Sequence, residues 1–184
     1  MNAPDFLFGL TPGDIGYDIE TYPNIFTMAC QHTLTGDRWF FEISDRRNDI
    51  VALCKFIALA ALHRCRFVGF NNQGFDYPVV HFIFQNQNVG ITVKDIYDKA
   101  MAIINMPRHG NTRFAHIIWD ADQVVTQIDL YKIHHFDNPA KATSLKILEF
   151  NMRMANIEDL PFEVGTVLDS SQADTLIEYN WPRS

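Results

Sequence analysis

Ile15, Tyr17 and Ile19 alternate with Gly16, Asp18 and Glu20, the period of two that sends successive strand side chains to opposite faces. A Pro23-Asn24 turn leads into a second strand, Ile25 to Thr33, and Thr35-Gly36-Asp37 joins that to a third, Arg38 to Ile43. The chain therefore opens as a three-stranded meander, and it places Asp18 and Glu20 on one side of its first strand.

Helices alternating with single strands are expected after the meander. Asn48 is a plausible N-cap for a helix running to about His63, with Ile50, Leu53, Cys54, Ile57, Ala61 and Leu62 at helical spacing. Phe67-Val68-Gly69-Phe70 reads as a buried strand, Asn71 to Gly74 as a turn, and Tyr77 to Gln87 as a helix. Thr92 with Asp95 forms a capping-box pattern for a further helix that Pro107 ends. Residues 107–122 read as an excursion within one domain. A strand centred on Val124, Val125, Ile128 and Leu130 lies within Gln123 to His134, and Thr143 to Met152 has helical periodicity. Ser171 with Asp174 marks the start of a last helix ending near Asn180. This order predicts a single α/β domain over residues 1–184: three layers, with a mixed central sheet of about five strands and helices on both faces.

A chain of 184 residues buries roughly 70 % of its unfolded surface, enough for a full core. The composition, 47 % hydrophobic and 20 % charged, is that of a globular protein without extensive disorder. A net charge of −7 means that long-range attraction alone does not carry the chain onto a polyanion. Bound divalent cations or clustered bases would have to help, such as Arg46 with Arg47, or Lys141, Lys146 and Arg153. The plainer reading of those bases is solvated surface. Cys30, Cys54 and Cys65 are odd in number and lie in apolar runs, which suits buried thiols in a reducing, cytoplasmic compartment. Met1 to Phe8 lacks a basic leader region, and the longest apolar stretch, Phe56 to Leu62, is too short to span a bilayer.

Two carboxylates side by side on a strand repel unless something cationic lies between them, so Asp18 and Glu20 are candidate ligands for divalent cations. Taken alone, the pair fits a solvated strand face equally well. Asp76, after an apolar strand and turn and just before Pro78, stands where a helix N-terminus favours negative charge, and its plain reading is a cap. Asn71 is plausible as a turn residue only. The pattern Asn71-x-x-x-Phe75-Asp76 directly after a predicted strand shifts the balance, because a catalytic carboxylate near the end of a neighbouring strand needs that context.

With these residues in place, the chain resembles the proofreading 3′-5′ exonuclease domain of family B DNA polymerases, phage type, within the DnaQ-like, RNase H-like superfamily. Tyr17-Asp18-Ile19-Glu20-Thr21 is similar to the family's first motif, and Gly69-Phe70-Asn71 through Phe75-Asp76-Tyr77-Pro78 to its second. The stretch from Ser144-Leu145-Lys146 to Asp159-Leu160-Pro161, followed by Glu178-Tyr179-Asn180, resembles the approach to the third. That motif is Tyr-x-x-x-Asp. Counting from Tyr179 puts Arg183 where the fourth carboxylate belongs, and Ser184 follows it. Tyr and Asp at that spacing share a helical face, so the acid would reach the same cations; Arg183 carries the opposite charge.

The resemblance implies two Mg²⁺ or Mn²⁺ ions about 3.5–4 Å apart, which activate water and steady the leaving 3′ oxygen. Asp18, Glu20 and Asp76 are the implied ligands, and Tyr179 the residue that orients the attacking water. Phe75 and Thr21 are implied to hold the terminal nucleotide of single-stranded DNA or a frayed 3′ end, and Asn71 to position that nucleotide or Asp76. A separate polymerase polypeptide that completes the site is an implied partner, and the cytoplasm of a phage host the implied location. Without a fourth carboxylate, weak or absent activity of the isolated chain is expected. The alternative is a non-catalytic module that keeps the fold and binds a protein or nucleic acid. RNA in place of DNA also stays open, since no residue clearly selects the sugar.

Hard oxygen donors suit Mg²⁺ or Mn²⁺, whereas clustered His and Cys of regular spacing, as zinc would need, are missing. His134 and His135, adjacent on the expected strand, face opposite ways and read as structural. Asp120 and Asp122 read as turn residues.

Overall fold

The computed structural model describes residues 10–107, 114–136, 144, 145, 147 and 160–180. Of the expected helix over Thr143 to Met152 only Ser144, Leu145 and Ile147 are among them, the last two helical; Lys141, Lys146, Arg153, Asp159 and Arg183 lie outside them.

The meander forms as expected: β1 (Asp14–Tyr22), β2 (Ile25–His32) and β3 (Arg38–Ser44) are antiparallel neighbours. Helix α1 (Ile50–Leu62) crosses to β4 (Arg66–Gly69), and α2 (Asp76–Asn86) and α3 (Val93–Ile104) lead toward β5 (Thr126–Asp129). A 3-10 turn over Asp120–Asp122 precedes β5, and a short α4 (Leu130–His134) and α5 (Ser170–Asn180) follow it. The sheet order is β3-β2-β1-β4-β5, with β4 parallel to β1 and to β5. This is an α/β fold on a mixed five-stranded sheet, compatible with a three-layer RNase H-like architecture.

Parity along β1 sorts the layers. Ile15, Tyr17 and Ile19 join Phe26, Met28, Cys30, Trp39, Phe41 and Ile43 in a core shared with α1, α2 and α3. Phe56 of α1 is its hub, with ring centroids 5.0 Å from Trp39, 5.3 Å from Phe41 and 6.1 Å from Phe67. On the opposite face Tyr22 and Ile25 pack with Leu168, Ala173 and Leu176 of the α5 region. That face also carries Asp18 and Glu20, opposite Ala29 and Thr27 of β2.

Several local expectations need correction. The strand expected within Gln123 to His134 stops at Asp129, whose carboxylate accepts from the Tyr131 N–H at 2.9 Å and turns the chain into α4. His134 and His135 therefore sit at a helix end, and His135 Nδ1 lies 2.7 Å from the Tyr131 carbonyl. The last helix begins two residues early, capped by the reciprocal pair Asp169 and Gln172 and not by Ser171 with Asp174. Asn48 lies one residue before the N-cap position, Asp49, although its side chain accepts from the Ile50 N–H at 3.2 Å. The capping box of α3 forms as read, with Thr92 N–H donating to Asp95 at 2.8 Å and Asp95 N–H donating back at 3.3 Å. All three thiols are free and buried. No helix among the described residues is long and apolar enough to cross a membrane.

Candidate active site

β4 pairs with β1 only as far as Gly16, so the remainder of β1 has no strand neighbour on that side. The chain leaving Gly69 fills the gap with the 71–75 turn and the start of α2. Asn71 adopts a left-handed conformation (φ 59°), and its carbonyl accepts from the N–H groups of Gly74 at 2.9 Å and Phe75 at 3.1 Å. A Cβ at Gly74 would lie 2.5 Å from Asn71 Oδ1, so any larger residue there displaces the Asn71 amide. Phe75 packs against the core, and Asn72 is buried, its Nδ2 donating to Gln127 Oε1 at 3.0 Å. Tyr77 accepts the Val124 N–H at 2.8 Å, tying α2 to the segment before β5.

This turn delivers Asp76 as the first residue of α2, not as its N-cap, which is Phe75. Asp76 is 8 % exposed. Burial first, then the charge of Asp18 and last that of Asp129 push its carboxyl up to about 8; its own N–H and that of Ile19 pull in the other direction. Asp18 rises to about 6 through burial, and the same Ile19 N–H holds it down. Glu20 rises to about 8 through burial, then through Asp18 and Asp76. Asp18 keeps an exposed surface. Exposure and desolvation are compatible for an acid on the floor of a cleft, open to water on one side and surrounded by protein on the others.

Three carboxyls from two segments thus act on one another, and among the described residues none of them is in an ion pair. In donor type and in uncompensated charge the residues fit a hard divalent cation. The ligand set is not closed: among the described residues no three Asp, Glu, His or Cys side chains form a group able to hold a metal ion by themselves.

Above the acids lies a cleft of about 630 Å³. Asp18, Asp76, Asn71 and Phe75 line it, together with Phe70 and Tyr131, whose rings meet edge to face at 5.4 Å. Leu145, part of the segment resembling the approach to the third motif, lines it as well. Glu20, Thr21 and Tyr179 do not. Thr21 pairs with Phe26 and has the parity of Ile19, so it belongs to the face opposite the two acids of β1.

Helix α5 lies on the acid face. Asn180 Nδ2 donates to Thr27 Oγ1 at 3.1 Å, directly across from Glu20 in the sheet register. Burial, then Glu20 and Tyr179, raise the Tyr22 hydroxyl to about 12, so Tyr179 and Glu20 both act on Tyr22. Tyr22 donates to the Phe162 carbonyl at 2.9 Å, and Asn24 exchanges hydrogen bonds with Leu168 at 2.7 and 2.9 Å. Arg46 bridges Glu42 of β3 at 2.7 Å and Asp174 of α5 at 2.8 Å, and Arg47 pairs with Asp49 at 2.5 Å. These two arginines join structural elements and are not a cluster held ready for an incoming anion.

Sequence reasoning missed Phe70 and Tyr131 as cleft walls, and missed Asp129. An acid at the C-terminal end of a parallel strand is a recognisable signal, since ligand sites in open α/β sheets lie beyond those ends. Extending the strand past residue 129 concealed it.

No protein-family model matches the chain, and comparison with the curated proteins finds no match.

Proposed function

We propose that this chain is a metal-dependent 3′-5′ exonuclease domain acting on DNA 3′ ends, of the proofreading kind associated with DNA polymerases. The observation that supports it best is that Asp18 and Asp76, from two segments, line one cleft walled by aromatic rings, with Glu20 raised by the charge of both. A lone solvated acid pair would not need a third carboxyl buried against it.

Asp18, Glu20 and Asp76 are the residues that would hold Mg²⁺ or Mn²⁺, which when bound supplies charge stabilisation for phosphoryl transfer and a more acidic water. The chain's own contribution is placement. Phe70, Tyr131 and Phe75 offer apolar faces on which an unpaired base stacks, an interaction worth about 1–3 kcal/mol per base. Asn71 offers an amide at the cleft floor to orient the terminal nucleotide, and Tyr179, which like Glu20 acts on the Tyr22 hydroxyl, would orient the attacking water. Paired DNA buries its base faces, so a cleft of this kind favours single-stranded or frayed ends. The three buried thiols suit a cytoplasmic setting.

Degradation of 5′-labelled single-stranded DNA in Mn²⁺ tests the reading. Stepwise shortening from the 3′ end that is lost in Asp18→Ala supports it; equal behaviour of the two proteins refutes it. The same assay with competing RNA assigns the sugar.

A second reading, a binding module without catalysis, is favoured by Arg183 at the position four after Tyr179 and by the unclosed ligand set. It predicts retention of single-stranded DNA or of a protein partner without shortening of the DNA.

A further inference from the structure

We infer that Asp129 is a positioning residue for the acid site: its buried carboxylate fixes the backbone of residues 71–73 and, through it, the place of Asp76. The inference rests on reading Asp76 as part of that site. Asp129 ends β5 beside Gly69 in the parallel register and is 5 % exposed. One of its oxygens accepts from the N–H groups of Asn71 and Tyr131, both at 2.9 Å; the other accepts from Gln73 N–H at 3.3 Å.

The simplest role for such a residue is the N-cap of α4, which the Tyr131 bond alone would serve. A cap has no need of the other two bonds. They reach across to a turn from a different strand, and that turn contains the left-handed Asn71, a conformation uncommon outside glycine. Asn71 in turn accepts from Gly74 and Phe75, while the Asn72 carbonyl accepts from Tyr77 N–H at 2.8 Å. The path from Asp129 to the first turn of α2 is thus an unbroken set of hydrogen bonds on both sides of Asp76. Burying a carboxylate is costly unless donors satisfy it, and three backbone N–H groups do so here.

Two variants separate the roles. Asp129→Ala releases all three donors. Asp129→Asn keeps one accepting oxygen for Asn71 and Tyr131 but turns an amide N–H against that of Gln73, so only the Gln73 bond is lost. The measurement is NMR of the metal-free chain, following the amides of Asn71, Gln73 and Tyr131 and the side-chain carboxyl carbon of Asp76. In Asp129→Ala the signals of Asn71, Gln73 and Asp76 are expected to move together. Should that variant not fold, Asp129→Asn is expected to move Gln73 and Asp76 while leaving Tyr131 in place. Changes confined to Tyr131 and α4 would reduce Asp129 to a cap and overturn the inference.

A second readout is the split between kcat and KM on single-stranded DNA. Misplacing a reacting group costs up to about a hundredfold in rate, so Asp129→Ala is expected to lower kcat on that scale with KM within about twofold. A raised KM with unchanged kcat would contradict the inference. Exposed Asp122→Asn should leave both constants as they are. If the wild-type chain degrades no DNA, the proposed function fails, and the NMR comparison still decides the part played by Asp129.

Discussion

Asp18, on the stretch of β1 that β4 leaves unpaired, and Asp76 at the start of α2 line one cleft, and the charge of Asp18 raises the Asp76 carboxyl. The Ile19 N–H opposes the rise of both carboxyls, Asp76's own N–H opposes it more strongly at Asp76, and burial outweighs them at each. Neutralising them takes protons or a cation.

That competition gives a pH dependence with a definite sign. Glu20 and Asp76, raised to about 8, hold protons in the folded chain at pH values where the unfolded chain has released them. The folded state then binds more protons, and stability falls as pH climbs from the ordinary carboxylate range toward about 8. Thermal melting of the metal-free chain should show its higher Tm near pH 5 and a lower one near pH 8.5. Mn²⁺ should restore the loss at the alkaline end and do little at the acidic end. A Tm that rises over the same interval without metal would be inconsistent with this arrangement.

Removing one ligand should abolish most of the chemistry without unfolding the chain. Metal-ligand charge stabilisation is worth several kcal/mol, and each 1.36 kcal/mol is tenfold in rate, so Asp18→Ala should lose at least about a hundredfold in Mn²⁺-dependent DNA degradation. Its Tm at pH 8 should equal or exceed that of the wild type, because a repelling charge has gone. Parallel rate and melting measurements check both halves.

Gly74→Ala should damage the cleft more than the fold. Its new Cβ would fall 2.5 Å from Asn71 Oδ1, and the amide must swing away from its present position. Weaker binding of single-stranded DNA, seen as a raised KM with a Tm within a few degrees of wild type, is the expected outcome.

The bridge from β3 to α5 can be weighed one arm at a time. Glu42 has a buried side chain, whereas Asp174 on the far arm is largely exposed. Asp174→Ala should cost about 0–1 kcal/mol, as for a surface pair. Arg46→Ala should cost more, about 1–2 kcal/mol, because it leaves Glu42 a buried charge without its cation, softened by the remaining Ser44 bond. Urea denaturation of the two variants checks the order.

The sheet was legible because its signals are local. Alternation over Ile15 to Ile19, the turn at Gly36 with its positive φ, and the reciprocal Thr92 and Asp95 cap each follow from neighbours in sequence. The three acids were legible as candidates for the same reason. What stayed hidden depends on contacts between distant segments. Asp129 closes β5 by bonding to a turn that belongs to β4, so a run of apolar residues through Leu130 looked like more strand. Arg46 looked like a free base until α5 brought Asp174 to it. Thr21 illustrates another limit, since it belongs to the first motif by position while strand parity assigns it to the face opposite Asp18 and Glu20.

The most direct test of a cation site built from Asp18, Glu20 and Asp76 is a crystal structure of the chain in Mn²⁺ at pH 8, with anomalous data. The account predicts an anomalous peak within coordination distance, about 2.0–2.3 Å, of an Asp18 oxygen, shared with Glu20 or Asp76. Well-ordered carboxylates with no peak between them, their oxygens directed into separate regions, would contradict it.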